Sequence, residues 1–210
     1  MHRRAASILV IGLMAVLATP LAGCGGRHRP WRTLAMARPD PFYLQRRFAV
    51  LPVSYAGLRV GEKSEGEYLA EKKGEKWESW QADKEAIGAQ FTQRLIDRSA
   101  EVGIRVVQAN GPGAAPFFIR PIVTFIEPGF FTAFVNKPSE ITMRVQLTDV
   151  YGLVLDDIVI HQVVESSGGI LSSAISGTVT SSSRLKQAAE ALGDIAGQYL
   201  EYRVVGEIEE

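Results

Sequence analysis

The sequence predicts an α+β fold, a two-layer sandwich with two main helices on one face of a mixed, mostly antiparallel sheet of about four to five strands. The first observation is that residues 140–149 alternate apolar and polar side chains, which is typical of a half-buried strand. The second is that residues 83–102 and 184–202 repeat apolar side chains at helical spacing. The predicted order is strand, helix, strand, three-strand meander and helix, which places both helices on one side of the sheet.

Composition favours one globular domain. The chain has 210 residues, 46% of them hydrophobic, and its 23 basic and 23 acidic side chains give no net charge. This balance removes any general electrostatic case for nucleic-acid binding. One cysteine excludes a disulfide framework and cysteine-rich metal sites, and three histidines are too few to favour a metal site. We therefore predict no metal and no cofactor other than covalent lipid.

Residues 1–23 are predicted to be a signal peptide. Arg3 and Arg4 precede an apolar stretch over 5–19, and small residues follow it. That order is typical of secretory signals, and the stretch is shorter than the ~20 residues that a membrane-spanning helix needs. No later apolar run approaches this length.

The end of this signal, Leu21-Ala22-Gly23-Cys24, resembles the bacterial lipobox. The resemblance implies cleavage after Gly23 and attachment of diacylglycerol and an N-acyl chain such as palmitate to Cys24. The mature lipoprotein would then have 187 residues, which is 210 minus 23. The alternative is a chance cysteine near an ordinary cleavage site. Gly25, in place of Asp, resembles the default signal for transfer to the outer membrane in Gram-negative bacteria.

Residues 24–47 are interpreted as a tether, because they combine glycine and proline with six arginines and one acid, Asp40. Such a segment either lies on anionic headgroups or is a solvated linker. The predicted domain, 48–203, follows, and residues 204–210 form an acidic tail.

In the first half of the domain, residues 48–53 are predicted to form a strand. Pro52 favours a position on an edge strand or at a strand end. Ser64 and Glu67 make a capping box, which predicts a short helix over 64–73. Asp83 is expected to cap the longer helix, whose inward stripe is Ile87, Phe91, Leu95 and Val102. Trp77 and Trp80 are expected to precede that helix and to cover the core.

In the second half, strands are predicted over 104–108, 117–126, 140–149 and 153–164, with a turn at 149–152. Residues 166–183 are rich in Ser, Thr and Gly and are interpreted as a docking loop; they are too short for a membrane-spanning hairpin plus its turn. The final helix is expected to face inward with Leu185, Ala188, Leu192, Ile195 and Tyr199.

Three segments, 48–53, 145–149 and 152–155, resemble the TolB amino-terminal-like domains of envelope lipoproteins, including curli-secretion-type proteins and penicillin-binding-protein activators. The resemblance covers about 48–203, and the charged insert 61–82 departs from it. The resemblance implies a non-catalytic periplasmic domain that docks on another envelope component. It carries over no functional residues, because the similar segments are structural.

Catalytic residues are not predicted. His161 is the only histidine of the domain, and a nucleophilic triad would need a serine and Asp156 or Asp157 beside it. No Gly-x-Ser-x-Gly elbow accompanies it. The two aspartates are adjacent on a predicted strand, so their carboxylates should point to opposite faces.

Phe130, Phe131 and Phe134 are the candidate partner contact, since three aromatic residues together suit a protein or membrane surface. The alternative is that they fold back over the core.

From these observations we predict a non-enzymatic lipoprotein anchored in the outer membrane, facing the periplasm and acting as an accessory or adaptor in an envelope assembly. Its expected partners are the membrane, through the lipid, and an envelope protein. The alternative is an auxiliary lipid- or small-ligand-binding component of an envelope transport system, with the ligand between sheet and helices.

Overall fold

The computed structural model describes residues 29–71, 75–109, 113–131, 136–165 and 180–206. Ten strands and three helices lie within these ranges: β1 (Trp31–Ala35), β2 (Arg47–Val50), β3 (Arg59–Val60), β4 (Lys63–Ser64), α1 (Glu65–Ala70), α2 (Glu75–Glu101), β5 (Arg105–Gln108), β6 (Phe117–Glu127), β7 (Phe130–Phe131), β8 (Asn136–Lys137), β9 (Ser139–Asp149), β10 (Val154–Val164) and α3 (Ser181–Val205).

Eight of the strands form one open mixed sheet, with the order β1-β10-β9-β6-β2-β5 and with β3 and β4 at the end of β6. The pairs among β1, β10, β9 and β6 are antiparallel, whereas β2 is parallel to both β5 and β6. The α+β class is therefore confirmed, but the prediction of four to five strands is too low. The short strands β3 and β4 and the edge strand β1 account for the difference.

Strand β1 lies inside the segment that the sequence analysis interprets as a tether. It pairs with β10 from Trp31 opposite Ile160 to Ala35 opposite Asp157. Four of its five residues are exposed, so it has no alternating pattern that would have revealed it. The sheet thus begins before residue 48, where the predicted domain starts.

The core lies between the sheet and the two long helices. Alternate residues of β9, from Ile141 to Leu147, are buried against α2 and α3. The inward residues predicted for the last helix are all buried, and so are Ile87, Phe91 and Leu95. Helix α2 begins by Glu75 and not at Asp83, so Trp77 and Trp80 lie within it; Trp80 is buried and Trp77 is exposed.

Helices α2 and α3 pack closely at a glycine. A Cβ atom on Gly193 would lie 2.6 Å from the carbonyl oxygen of Phe91, a distance that no side chain tolerates without movement of the backbone. Ion pairs flank this contact, between Arg94 and Asp194 and, at 2.5 Å, between Arg98 and Glu201. Glycine at 193 thus sets the distance between the two helices.

Residues 31–44, which we call the N-terminal strap, are fixed to the fold by a buried ion pair. The carboxylate of Asp156, fully buried on β10, lies 2.8 Å from Nε of Arg203. Its Oδ1 accepts a hydrogen bond from the backbone N–H of Ala37 at 2.8 Å, and Arg203 also pairs with Asp40 at 3.1 Å. The strap is therefore held to the last turns of α3 by charge as well as by strand pairing.

Tyr199 completes this network, donating a 2.5 Å hydrogen bond from its hydroxyl to Oδ2 of Asp156. Burial, followed by this bond and the charge of Asp156, raises the pKa of Tyr199 above its ordinary value of 10.0. The neutral phenol is therefore favoured in the folded state. The contribution of the Tyr199 phenol to the free energy of unfolding is complete below pH 10 and decreases as the pH rises further.

Replacement of Gly193 by alanine should lower the free energy of unfolding by about 1–3 kcal/mol, because the added methyl overpacks the contact between α2 and α3. Urea unfolding monitored by circular dichroism measures the change. Gly66→Ala in α1 is the control, since its Cβ would meet no atom within 4 Å. An equal loss in both variants would contradict the packing argument.

Above pH 10 the free energy of unfolding should fall with rising pH, and it should fall less steeply in Tyr199→Phe, which cannot ionise at this position. Urea unfolding at several pH values between 8 and 11 gives both slopes. Tyr151→Phe is the matched control, because Tyr151 is 92% exposed. If the free energy of unfolding fell as steeply with pH in Tyr199→Phe as in the parent protein, ionisation of Tyr199 would not be the cause of the fall.

Candidate functional site

The predicted lipidation site, Cys24, and the predicted cleavage motif, Leu21, Ala22 and Gly23, lie outside the described residues. The structure therefore does not test the lipid anchor, which stays a prediction. The same holds for most of the Ser/Thr/Gly-rich segment 166–183.

The predicted aromatic contact is placed only in part. Phe130 and Phe131 form β7, which pairs with β8, while Phe134 lies outside the described residues. Gly129, at φ +67°, permits this short hairpin. A Cβ atom at this position would lie too close to the carbonyl oxygen of Lys137. Whether the three rings contact a partner stays a prediction.

The structure separates the residues that a hydrolytic site would have to combine. Asp156 faces α3, whereas Asp157 and His161 lie on the opposite face of β10, as strand alternation predicts. His161 Nδ1 lies 2.9 Å from Thr142 Oγ1 on β9. Asp157 is four residues from His161, about 13 Å along the strand, so its carboxylate does not orient this imidazole.

Asp157 instead pairs with arginine on the sheet face opposite the described helices. Nε of Arg144 donates to both of its carboxylate oxygens at 2.7 and 2.8 Å, and Gln146 donates from Nε2 at 3.0 Å. Hydrogen bonding to Asp157 raises the pKa of Arg144 above its ordinary value. Arg144 keeps part of its guanidinium in solvent, whereas Asp157 is buried. The pair thus presents a fixed, partly exposed cation on this face.

A cavity of about 540 Å³ lies between the sheet and the first half of α2. It opens at the carboxyl ends of the parallel strands β2 and β5, which is where open α/β sheets bind ligands. Its lining is contributed by the chain after β2, one side of α2 and the end of β5: Val50, Leu51, Pro52, Val53, Tyr55, Gln81, Lys84, Glu85, Gly88, Ala89, Thr92, Gln108 and Ala109.

Hydrogen bonds and ion pairs hold one wall of this cavity in place. The hydroxyl of Tyr55 donates to the carbonyl of Lys84 at 2.5 Å, and Lys84 Nζ lies 2.6 Å from Oε1 of Glu65. Trp80 donates to the same carboxylate oxygen at 2.9 Å from its indole nitrogen. Burial, followed by the charge of Glu65, raises the pKa of Tyr55, which therefore stays a neutral hydrogen-bonding group.

The size and lining of this cavity suit a small molecule. Its lining combines apolar side chains, such as Val50, Val53 and Ala89, with amide and charged side chains of α2 and β5. The volume lies within the range of about 300–1,000 Å³ that is usual for small-ligand sites. The sequence analysis places an alternative ligand between sheet and helices but names none of these lining residues; Gly88 inside the long helix was the available signal, since a small residue leaves room next to Val53.

Within the described ranges, no group of three or more His, Cys, Asp or Glu side chains is arranged to hold a metal ion. No helix among these residues is both long and apolar enough to cross a membrane.

Comparison with known proteins found no matching family model and no matching curated protein. Among solved structures, the PelC dodecamer from Paraburkholderia phytofirmans is similar with a TM-score of 0.40 and 14% identity, over 79% of this chain and 96% of that one. The hypothetical protein CT253 from Chlamydia trachomatis gives a TM-score of 0.40 and 12% identity, over 75% of this chain and 96% of that one.

A third similar structure is a homologue of neuraminyllactose-binding hemagglutinin from Helicobacter pylori, with a TM-score of 0.33 and 8% identity, over 78% of this chain and 88% of that one. None of the three is described as a TolB-like or curli-secretion domain, so that resemblance stays a prediction. At these TM-scores and identities, the similarities establish neither the family nor the function of this chain.

Proposed function

We propose that this protein is a non-enzymatic lipoprotein, anchored in the outer membrane by lipid on Cys24, whose periplasmic α+β domain is an accessory or adaptor in an envelope assembly. The observation that carries the proposal is the lipobox-like sequence Leu21-Ala22-Gly23-Cys24, which ends in the only cysteine of the chain. Two or more acyl chains on one residue give stable anchoring, since each buried methylene contributes about 0.8 kcal/mol.

The N-terminal strap supports this proposal, because its fixed contacts leave only a short segment between the proposed anchor and the domain. Four residues, 25–28, lie between Cys24 and Arg29, the first described residue, and the strap follows as part of the sheet and of the Asp156–Arg203 network. The five Cα–Cα steps from Cys24 to Arg29 span at most about 18 Å. A domain anchored in this way stays close to the membrane and presents a restricted set of surfaces to a partner.

The sheet face opposite the described helices supports an adaptor role. Arg32, Arg120 and His161 are exposed on it, and the Arg144–Asp157 pair lies among them. Exposed side chains and fixed charges on one sheet face suit docking on another protein, because charge complementarity sets both orientation and partner choice.

Crosslinking in cells tests the adaptor proposal. A carboxy-terminally tagged chain should crosslink mainly to one envelope protein, identified by mass spectrometry, and should fractionate with membranes. Cys24→Ala should remain unacylated, leave the membrane fraction and lose most of that crosslink, because the domain no longer stays beside its partner.

Two results would contradict the proposal. If Cys24→Ala stayed in the membrane fraction with the mass of the parent protein, Cys24 would not carry the anchor. If the anchored protein gave only scattered crosslinks to abundant envelope proteins, the adaptor role would fail while the anchor remained.

Binding of a small ligand is the second candidate function, and the cavity between β2, β5 and α2 specifically favours it. A lining that mixes apolar and polar side chains suits a ligand with one apolar part, such as a lipid fragment. In this case the protein would be an auxiliary binding component of an envelope transport system.

Gly88→Leu should block this cavity, because Gly88 lies on its wall and a Cβ atom there would meet Val53 at 3.7 Å and the hydroxyl of Tyr55 at 4.0 Å, both ordinary contact distances. Native mass spectrometry of the parent protein should detect a copurifying small molecule, which the variant should lose while keeping its circular dichroism. Gly66→Ala on α1, outside the cavity lining, is the control and should retain it. Absence of bound molecules from all three proteins would count against ligand binding.

A further inference from the structure

One end of the molecule concentrates the exposed apolar side chains. At this end lie the turn between β9 and β10, the strap residues 37–44 and the last turn of α3, and we call it the hairpin end. Among the described residues, nine large apolar side chains are exposed, and seven of these lie here: Tyr43, Leu44, Val150, Tyr151, Leu153, Val154 and Val205.

Contacts within the fold bring these segments together. The N–H of Leu44 donates to the carbonyl of Val204 at 3.0 Å, which joins the strap to the end of α3. The ring of Phe42 lies 5.0 Å from that of Phe117, and Phe117 pairs with Asp149 at the start of the turn. The strap, the helix end and the turn therefore share one side of the protein.

The most exposed part of the hairpin end is held in a fixed conformation. Oδ1 of Asp149 accepts hydrogen bonds from the N–H groups of Tyr151 at 2.8 Å and Leu153 at 2.9 Å. Gly152, at φ +84°, closes the turn. The side chains of Tyr151 and Leu153 are thus held outward, 92% and 62% exposed, and cannot withdraw into the core without breaking this turn.

Arginines surround the apolar side chains. Arg38, Arg46, Arg47 and Arg105 are exposed at this end, and none of them forms an ion pair with a carboxylate of the described residues. Arg46 and Arg47 donate to the carbonyls of Val102 and Ala114, so their charges are not neutralised by acids there. Tyrosine and aliphatic side chains bordered by arginine are typical of surfaces at the boundary of a lipid bilayer.

The described chain begins beside the last turns of α3, and β1 then runs toward the hairpin end, from Trp31 opposite Ile160 to Ala35 opposite Asp157. The guanidinium of Arg29 lies 4.4 Å from the ring centroid of Tyr202, in the last turns of α3. Cys24 is five residues earlier, within about 18 Å of Arg29 even in a fully extended chain. Lipid on Cys24 would therefore hold the bilayer within reach of the hairpin end.

From the composition of this surface and the place where the chain begins, we propose that the hairpin end lies in the lipid surface. Tyr43, Leu44, Tyr151 and Leu153 enter the boundary between headgroups and acyl chains, and the arginines bind anionic headgroups. This inference rests on the lipid anchor of the proposed function, and it adds the face of the domain that the anchor turns toward the membrane.

Site-specific fluorescence of the full-length acylated protein tests this inference. Acylation consumes the only native thiol, so a new cysteine can be labelled alone. Tyr151→Cys and Leu44→Cys carry the environment-sensitive label NBD at the hairpin end. Trp77→Cys is the matched control, since Trp77 is also exposed but lies 24 residues before Glu101, about 36 Å along α2.

Each labelled protein is bound to vesicles of phosphatidylethanolamine and phosphatidylglycerol, with and without doxyl-labelled lipids. The labels at 151 and 44 should shift to shorter wavelength and be quenched several-fold more than the label at 77. A shallow doxyl group should quench more than a deep one, because the expected insertion depth is about 5–10 Å.

Equal quenching at all three positions, with the protein still bound to the vesicles, would overturn the inference and leave the anchor intact. A wavelength shift without lipid quenching would also overturn it, because it would indicate contact with protein. Failure of the acylated chain to bind vesicles at all would reject the anchor itself, and this inference with it.

Discussion

The buried carboxylate of Asp156 is the constraint on which the arrangement of the chain ends depends. A charge removed from water requires a partner charge and hydrogen bonds to remain ionised. Arg203 from α3, the hydroxyl of Tyr199 and the N–H of Ala37 supply them together. Since Arg203 and Tyr199 lie on α3, Ala37 lies in the strap and Asp156 itself lies on β10, one carboxylate fixes these three distant segments relative to one another.

This constraint connects the fold to the proposed function. A tether without fixed contacts would let the domain move freely about the proposed anchor at Cys24, whereas the contacts of the strap leave only residues 25–28 between Cys24 and the described chain. The cavity between β2, β5 and α2 lies toward the opposite ends of these strands and helix, away from the hairpin end. The proposed membrane contact and the proposed ligand site therefore occupy separate regions of the molecule.

The elements with strong side-chain periodicity were predictable from the sequence. Residues 140–148 of β9 alternate polar and apolar side chains, and the apolar stripes of α2 and α3 identify their buried faces. Strand β1 was not predictable, because an exposed edge strand has neither a buried stripe nor alternation. The pairing of Asp156 with Arg203 and the cavity beside Gly88 both depend on contacts between distant segments, which local patterns do not encode.

The contacts of the strap can form only late in folding, because their partners lie far along the chain. The bond between Ala37 and Asp156 spans 119 residues, and that between Ala37 and Arg203 spans 166. Contacts of such high sequence separation form slowly, since a long loop must close first. Synthesis releases the strap well before α3, so the strap remains without its partners until nearly the whole chain has been made.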